Sequence, residues 1–144
     1  MMRGVLRQAH AIAALVFVAS IVFQVFLAGT AIADLGGSGD FATHREFGYT
    51  WVGLASLAVL LTAVAARLPR RDIAITFGML VLYVVQTLLP GAKTSAPWVA
   101  ALHPVNALLL FGLAAWYARR AWRERRAPAP AGAPGPAATA VDPS

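Results

Sequence analysis

Four long apolar runs, separated by short polar segments, constrain this chain more than any single motif in it. Each run holds about 20 residues or more, and about 20 residues rising 1.5 Å each cross a hydrocarbon core of roughly 30 Å. The pattern predicts transmembrane helices over about 8–31, 45–66, 73–91 and 97–119. A soluble four-helix bundle would need a polar stripe along every helix. The stretch "AIAALVFVASIVFQVFLAG" at 11–29 has no stripe of that width. Hydrophobic residues make up 59% of the chain and charged residues 12%, against roughly 25% charged in an ordinary soluble domain. The expected fold class is therefore an all-α membrane protein, a four-transmembrane-helix bundle. It forms one domain over 1–126, followed by an Ala/Pro/Gly-rich segment at 127–144 that reads as a disordered cytoplasmic tail.

The net charge of +6 is distributed unevenly. Arg3 and Arg7 precede the first run; Arg67, Arg70 and Arg71 lie between the second and third; Arg119, Arg120, Arg123, Arg125 and Arg126 follow the fourth. The opposite side carries Arg45 and Lys93 alone. The positive-inside rule then predicts both termini in the cytoplasm. Arginines flanking spans in this way fit anionic lipid headgroups better than nucleic acid. The single lysine, among many Ala, Gly, Pro and Arg residues, suggests a high-GC bacterial genome and hence a bacterial cytoplasmic membrane.

The first run has the outline of a signal peptide: basic residues, an apolar core, then "AIA" before Asp34. That core is longer than the 7–15 residues of an ordinary signal peptide, so the run is read as a retained helix. There are no cysteines, which removes disulfides, thiolate metal sites, iron–sulfur clusters and covalent haem attachment.

Two segments resemble each other. "VFQVFLAG" at 22–29 ends the first run and "VVQTLLPG" at 84–91 ends the third. Each has a Gln followed five residues later by Gly, and each is followed by a loop and then a histidine: His44 after Gln24, His103 after Gln86. Helices 1–2 and 3–4 thus read as two parallel helical-hairpin repeats, related by an axis along the membrane normal. The first outer loop, "TAIADLGGSGDFAT", is Gly-rich and reads as flexible; Thr94 or Ser95 is the expected cap of the fourth helix, with Pro97 in its first turn.

The symmetry would place His44 and His103 at matching positions near the outer face. An imidazole at a lipid border needs a partner, and neutral imidazoles on facing helices can ligate one haem iron from opposite sides. The His44 face continues through Gly48, Trp51 or Val52, and Ala55, with Gly48 leaving space for a flat macrocycle. The His103 face continues through Asn106 or Ala107 to Leu110, and Asn106 can hydrogen-bond a ligand or an imidazole. Pro104 removes a backbone donor beside His103. Counting from the basic ends, His44 lies about 34 Å out from Arg67 and His103 about 24 Å from Arg119, a mismatch that closes if the fourth helix continues through "RRAWRERR". Arg45 is the natural counter-charge for a haem propionate, or a loop arginine paired with Glu46 or Asp40. Glu46 reads as a solvated helix-start carboxylate. Gln24 and Gln86 are expected in interhelical hydrogen bonds or against a haem edge or quinone carbonyl. His10, alone among histidines at the other end, reads as interfacial; Trp98, Trp116 and Trp122 read as belt anchors; Tyr49 and Trp51 line a pocket or pack the bundle.

"HREFG" at 44–48, preceded by the Gln-x-x-x-x-Gly helix end, resembles the His-Arg-x-x-Gly motif of heme A synthases, and "LHPVNALLLF" at 102–111 resembles their fourth-helix histidine segment. Those proteins consist of two four-helix halves, each binding haem through histidines of its second and fourth helices. The resemblance spans residues 8–120 and implies His44 and His103 as an axial pair. Phe41 stands where the family has a carboxylate, and one half is present rather than two, so heme A synthesis itself is not implied. The chain also resembles a small bacterial four-helix integral membrane family of unknown function. The resulting expectation is a b-type cytochrome with one non-covalent haem b and a redox partner. The alternatives are a non-enzymatic membrane subunit and a quinone or lipid-like ligand binder. No nucleophile–base pair or membrane carboxylate pair points to a stand-alone enzyme.

Overall fold

The computed structural model describes residues 2–125; the Ala/Pro/Gly-rich segment at 127–144 lies outside them. Among the described residues the chain is all-helical, with four helices long and apolar enough to cross a membrane: α1 Met2–Ala31, α2 Ala42–Ala65, α3 Arg70–Ala92 and α4 Pro97–Glu124. Helix α1 packs against α2 and α4, and α3 packs against the same two. Helices α1 and α3 therefore stand across the diagonal of a square bundle. The core is narrow: Phe17 and Ile21 of α1 meet Val52 and Val59 of α2, Met79 of α3 and Leu110 of α4. Buried alanines, among them Ala14, Ala63, Ala114 and Ala118, let the helix backbones approach, as small residues do between helices in lipid. The outward faces are apolar, with Phe26, Leu61, Phe77 and Leu108 all exposed. Continuous apolar cover of this kind suits hydrocarbon rather than water.

Helix ends follow local chemistry. After α2 the chain turns at Arg67, which adopts φ 51°. The Arg67 N–H donates to the Val64 carbonyl at 2.9 Å and Leu68 N–H to the Ala63 carbonyl at 3.1 Å, the paired bonds of a Schellman stop with an arginine in glycine's place. The first loop is folded rather than open. Gly37 N–H donates to Ile32 O at 3.0 Å and Gly39 N–H to Ala31 O at 2.9 Å, so its glycines close onto the last turn of α1. A Cβ at Gly37 would lie 2.5 Å from the Thr30 oxygen. The fourth helix starts without the expected cap: Ala96 holds the N-cap position, no side chain bonds there, and Pro97 occupies the first turn. It breaks at Ala101 and resumes as Leu102–Glu124, because Pro104 has no N–H for the turn before it. Its continuation to Glu124 removes the depth mismatch between the two histidines.

Helix α2 contains a π-helical turn at Gly48–Val52, which the apolar pattern does not reveal. The turn sends Val52 inward, 5% exposed, and leaves Tyr49 and Trp51 outward, 58% and 59% exposed. Neither of these aromatics packs the bundle interior.

Candidate functional site

The end of the bundle away from the arginine clusters brings Gln24, His44, Gln86, His103 and Asn106 together. The imidazole of His44 has Nδ1 3.1 Å from the Gln24 main-chain oxygen. A carbonyl only accepts, so Nδ1 carries the proton and Nε2 bears the lone pair. Gln24 Nε2 then donates to His44 Nε2 at 3.2 Å and to the His44 main-chain oxygen at 2.8 Å. His103 is held in the same way: Nδ1–H donates to the Gln86 main-chain oxygen at 3.0 Å, and Gln86 Nε2 donates to His103 Nε2 at 3.1 Å. Each glutamine thus grips one histidine of the next helix at both ring nitrogens. The two rings lie 6.4 Å apart, centre to centre, with planes inclined at 66°.

The two grips differ in one respect. Asn106, 8% exposed, donates to Gln86 Oε1 at 2.7 Å and to the Leu82 carbonyl at 3.0 Å. Among the described residues no donor reaches Gln24 Oε1, which is buried. Phe47 stands three residues after His44, as Asn106 stands three after His103, and its ring packs edge-on against Phe23 at 4.9 Å instead. The space beside Gly48 is taken by the Gln24 amide: a Cβ on Gly48 would lie 2.6 Å from Gln24 Nε2. Glycine at 48 therefore makes room for a protein side chain. Arg45 and Glu46 are exposed, and among the described residues neither forms an ion pair.

Tyr83 is the contributor that the sequence pattern does not announce. Its hydroxyl lies 3.1 Å from the Gly48 carbonyl and 3.2 Å from the Tyr49 carbonyl, both backbone oxygens of the π-helical turn. Gly53 admits it, since a Cβ there would lie 2.6 Å from the Tyr83 oxygen. A phenol on α3 thereby anchors the turn that follows His44.

At the arginine-rich end, His10 is not interfacial. It is 2% exposed, with Nδ1 3.0 Å from Thr62 Oγ1 and Nε2 2.9 Å from the Tyr117 hydroxyl. Thr62 donates to the Ala58 carbonyl at 2.7 Å. Its oxygen is then the acceptor for His10 Nδ1–H, and the Tyr117 hydroxyl donates to Nε2. One turn away Asp72, 4% exposed, forms an ion pair with Arg120 at 2.9 Å, and Arg120 also donates to Glu124 at 2.7 Å.

Among the described residues no group of three or more His, Cys, Asp and Glu side chains could hold a metal ion; the donor set at the other end is two imidazoles. No curated protein, a heme A synthase included, and no solved structure matches the chain. Residues 24–94 are similar to a family of unknown function, DUF6220, and the matched stretch contains Gln24, His44 and Gln86 but ends before His103.

Proposed function

We propose that this chain is a small integral membrane protein that holds one haem b between His44 and His103 and serves electron transfer with a redox partner. One observation carries the reading: two imidazoles whose ring centres lie 6.4 Å apart, each with Nδ1–H fixed on a main-chain carbonyl. Two imidazoles on facing helices and this close together are a donor pair that one haem could take. A carbonyl on Nδ1–H is the support that ligating histidines ordinarily have, because it fixes the tautomer that leaves Nε2 to the metal. The donor chemistry therefore fits the group, and His44 and His103 would hold it through their Nε2 nitrogens. Haem b supplies one-electron redox chemistry when bound.

The chain's own residues divide the remaining work. Gln24 and Gln86 cover both Nε2 atoms and must turn aside for ligation; their side chains are long enough to do so while the main-chain carbonyls keep the rings aligned. Asn106 steadies the Gln86 side. Arg45, exposed beside His44, is the counter-charge for a carboxylate at the rim. The placement of basic residues supports an orientation with this site on the outer side of a bacterial cytoplasmic membrane and both termini inside. The matched Gln–His pairs support descent from a duplicated hairpin. Protein purified in detergent with haem supplied should show a Soret band and a reduced α-band, both lost in His44→Ala and in His103→Ala. A colourless protein that folds normally would end the proposal.

A second reading has its own observation. Every ring nitrogen of the two histidines already has a protein partner, so the cluster is also complete as interhelical glue in a non-enzymatic membrane subunit. In that case the histidine variants lose stability and no absorption band is ever present. A quinone or lipid-like ligand at the same place would co-purify without haem, in an amount that falls in the Gln24→Ala variant.

A further inference from the structure

A cleft of about 130 Å³ opens at the arginine-rich end, between the start of α1, the turn before α3 and the end of α4. Arg7, Asp72, Arg120, Glu124 and Arg125 bring the charges to it, and His10 and Tyr117 close its floor. Arg120 is its hinge point. The guanidinium spends Nη2 on Asp72 and Nε on Glu124, and both carboxylates are thereby engaged. Its Nη1 is buried and has no hydrogen-bond partner among the described residues. A guanidinium N–H without a protein acceptor can take an anionic oxygen that enters the cleft once the partly exposed side chain adjusts. Arg7, exposed at the mouth, adds a second donor that forms no ion pair among the described residues.

We propose that this cleft binds a phosphate group, presented by the headgroup of an anionic phospholipid. Size supports the assignment, since the volume equals about four water-sized groups, enough for a phosphate and too little for a nucleotide. Position supports it as well. The cleft lies level with the arginine-rich helix ends, where lipid phosphates meet a membrane protein, and basic pockets between helices at that level take phosphorylated headgroups. The two acidic side chains give selectivity. With Asp72 and Glu124 held by Arg120, the cleft keeps a small positive excess, so a lipid carrying a net negative charge is favoured over a zwitterionic one of the same shape.

The test uses the full chain in detergent micelles, with lipid retention read by native mass spectrometry and folding by thermal melting. Wild-type protein should retain one phosphatidylglycerol in preference to phosphatidylcholine. Arg7→Gln removes the donor at the mouth. Arg120→Lys keeps a cation for Asp72 while deleting Nη1. Each variant should weaken retention by about tenfold, the loss of one charge-assisted hydrogen bond, and Arg7→Gln should do so with an unchanged melting curve. Displacement of the lipid by millimolar inorganic phosphate would uphold the phosphate site and assign it to a soluble anion. Equal retention of both lipids by the wild type, or wild-type retention in both variants, would overturn the proposal.

Discussion

Asn106 holds the side-chain carbonyl of Gln86 at 2.7 Å, whereas the corresponding oxygen of Gln24 is buried with no donor among the described residues. The two glutamine–histidine grips are therefore alike in what they give the imidazole and unlike in what holds the glutamine. Replacing Asn106 with Ala should strip Gln86 of its anchor and free the Leu82 carbonyl as well. The expected destabilisation is about 0.5–2 kcal/mol, the range for polar contacts between membrane helices. Chemical denaturation in mixed micelles measures it, and a change indistinguishable from zero would show that Gln86 is held by other means.

Gly48 and Gln24 should be coupled. A methyl group at 48 would stand 2.6 Å from the Gln24 amide nitrogen, so Gly48→Ala should cost about 1 kcal/mol as the amide gives way and loses its bonds to His44. In a Gln24→Ala background the same change should be nearly neutral. A double-mutant cycle measures the coupling directly; additive effects would mean that the glycine serves something other than the glutamine.

Tyr83 should stabilise the π-helical turn through its hydroxyl. Tyr83→Phe removes the donor to the Gly48 and Tyr49 carbonyls and should cost about 1 kcal/mol. Backbone amides around Gly48–Val52 should then exchange hydrogen faster while those of the rest of α2 stay protected. Uniform loss of protection along α2 would contradict a local role.

Arg67 ends α2 in a left-handed conformation at φ 51°, which costs a residue with a side chain roughly 1–2 kcal/mol. Arg67→Gly should raise stability by about 1 kcal/mol, less whatever the arginine contributes to lipid headgroups. Unfolding in neutral detergent isolates the backbone effect, and a destabilised glycine variant there would argue for an arginine contact that outweighs it.

Breaking the ion pair from one side should be severe. Asp72 is 4% exposed, and Arg120→Met would leave its carboxylate without a cation, a loss of about 3–5 kcal/mol for a buried charge. The double variant Asp72→Leu with Arg120→Met should recover most of that loss. If the double variant is no better than the single one, the pair matters through its other neighbours.

Much of this architecture can be read from composition and spacing because lipid imposes simple rules. Apolar length reports the spans, and a glutamine or histidine inside them calls for a partner. Gln24, His44, Gln86 and His103 stood out for that reason, and the structure brings them together. Other residues were hidden by ordinary surroundings. Asp72 and Arg120 sit in segments rich in charge, where a carboxylate reads as solvated. His10 has no second histidine to suggest a partner, and a threonine on the second span and a tyrosine on the fourth leave no spacing signature. The π-helical turn leaves no mark either, since it changes which side chains face inward without changing how apolar they are. The missing side chain of Gly48 is legible in the sequence, but the neighbour that fills the space is a glutamine of α1.

The turn at Gly48–Val52 amounts to one residue more than a regular helix would use over the same height. Every side chain on its N-terminal flank is consequently rotated by about 100° relative to the buried seam of Ala55, Val59 and Ala63. The direction in which His44 looks is therefore decided by a backbone irregularity one turn away. A chain shortened by a single residue in that turn would keep all its apolar length and point the imidazole at a different neighbour.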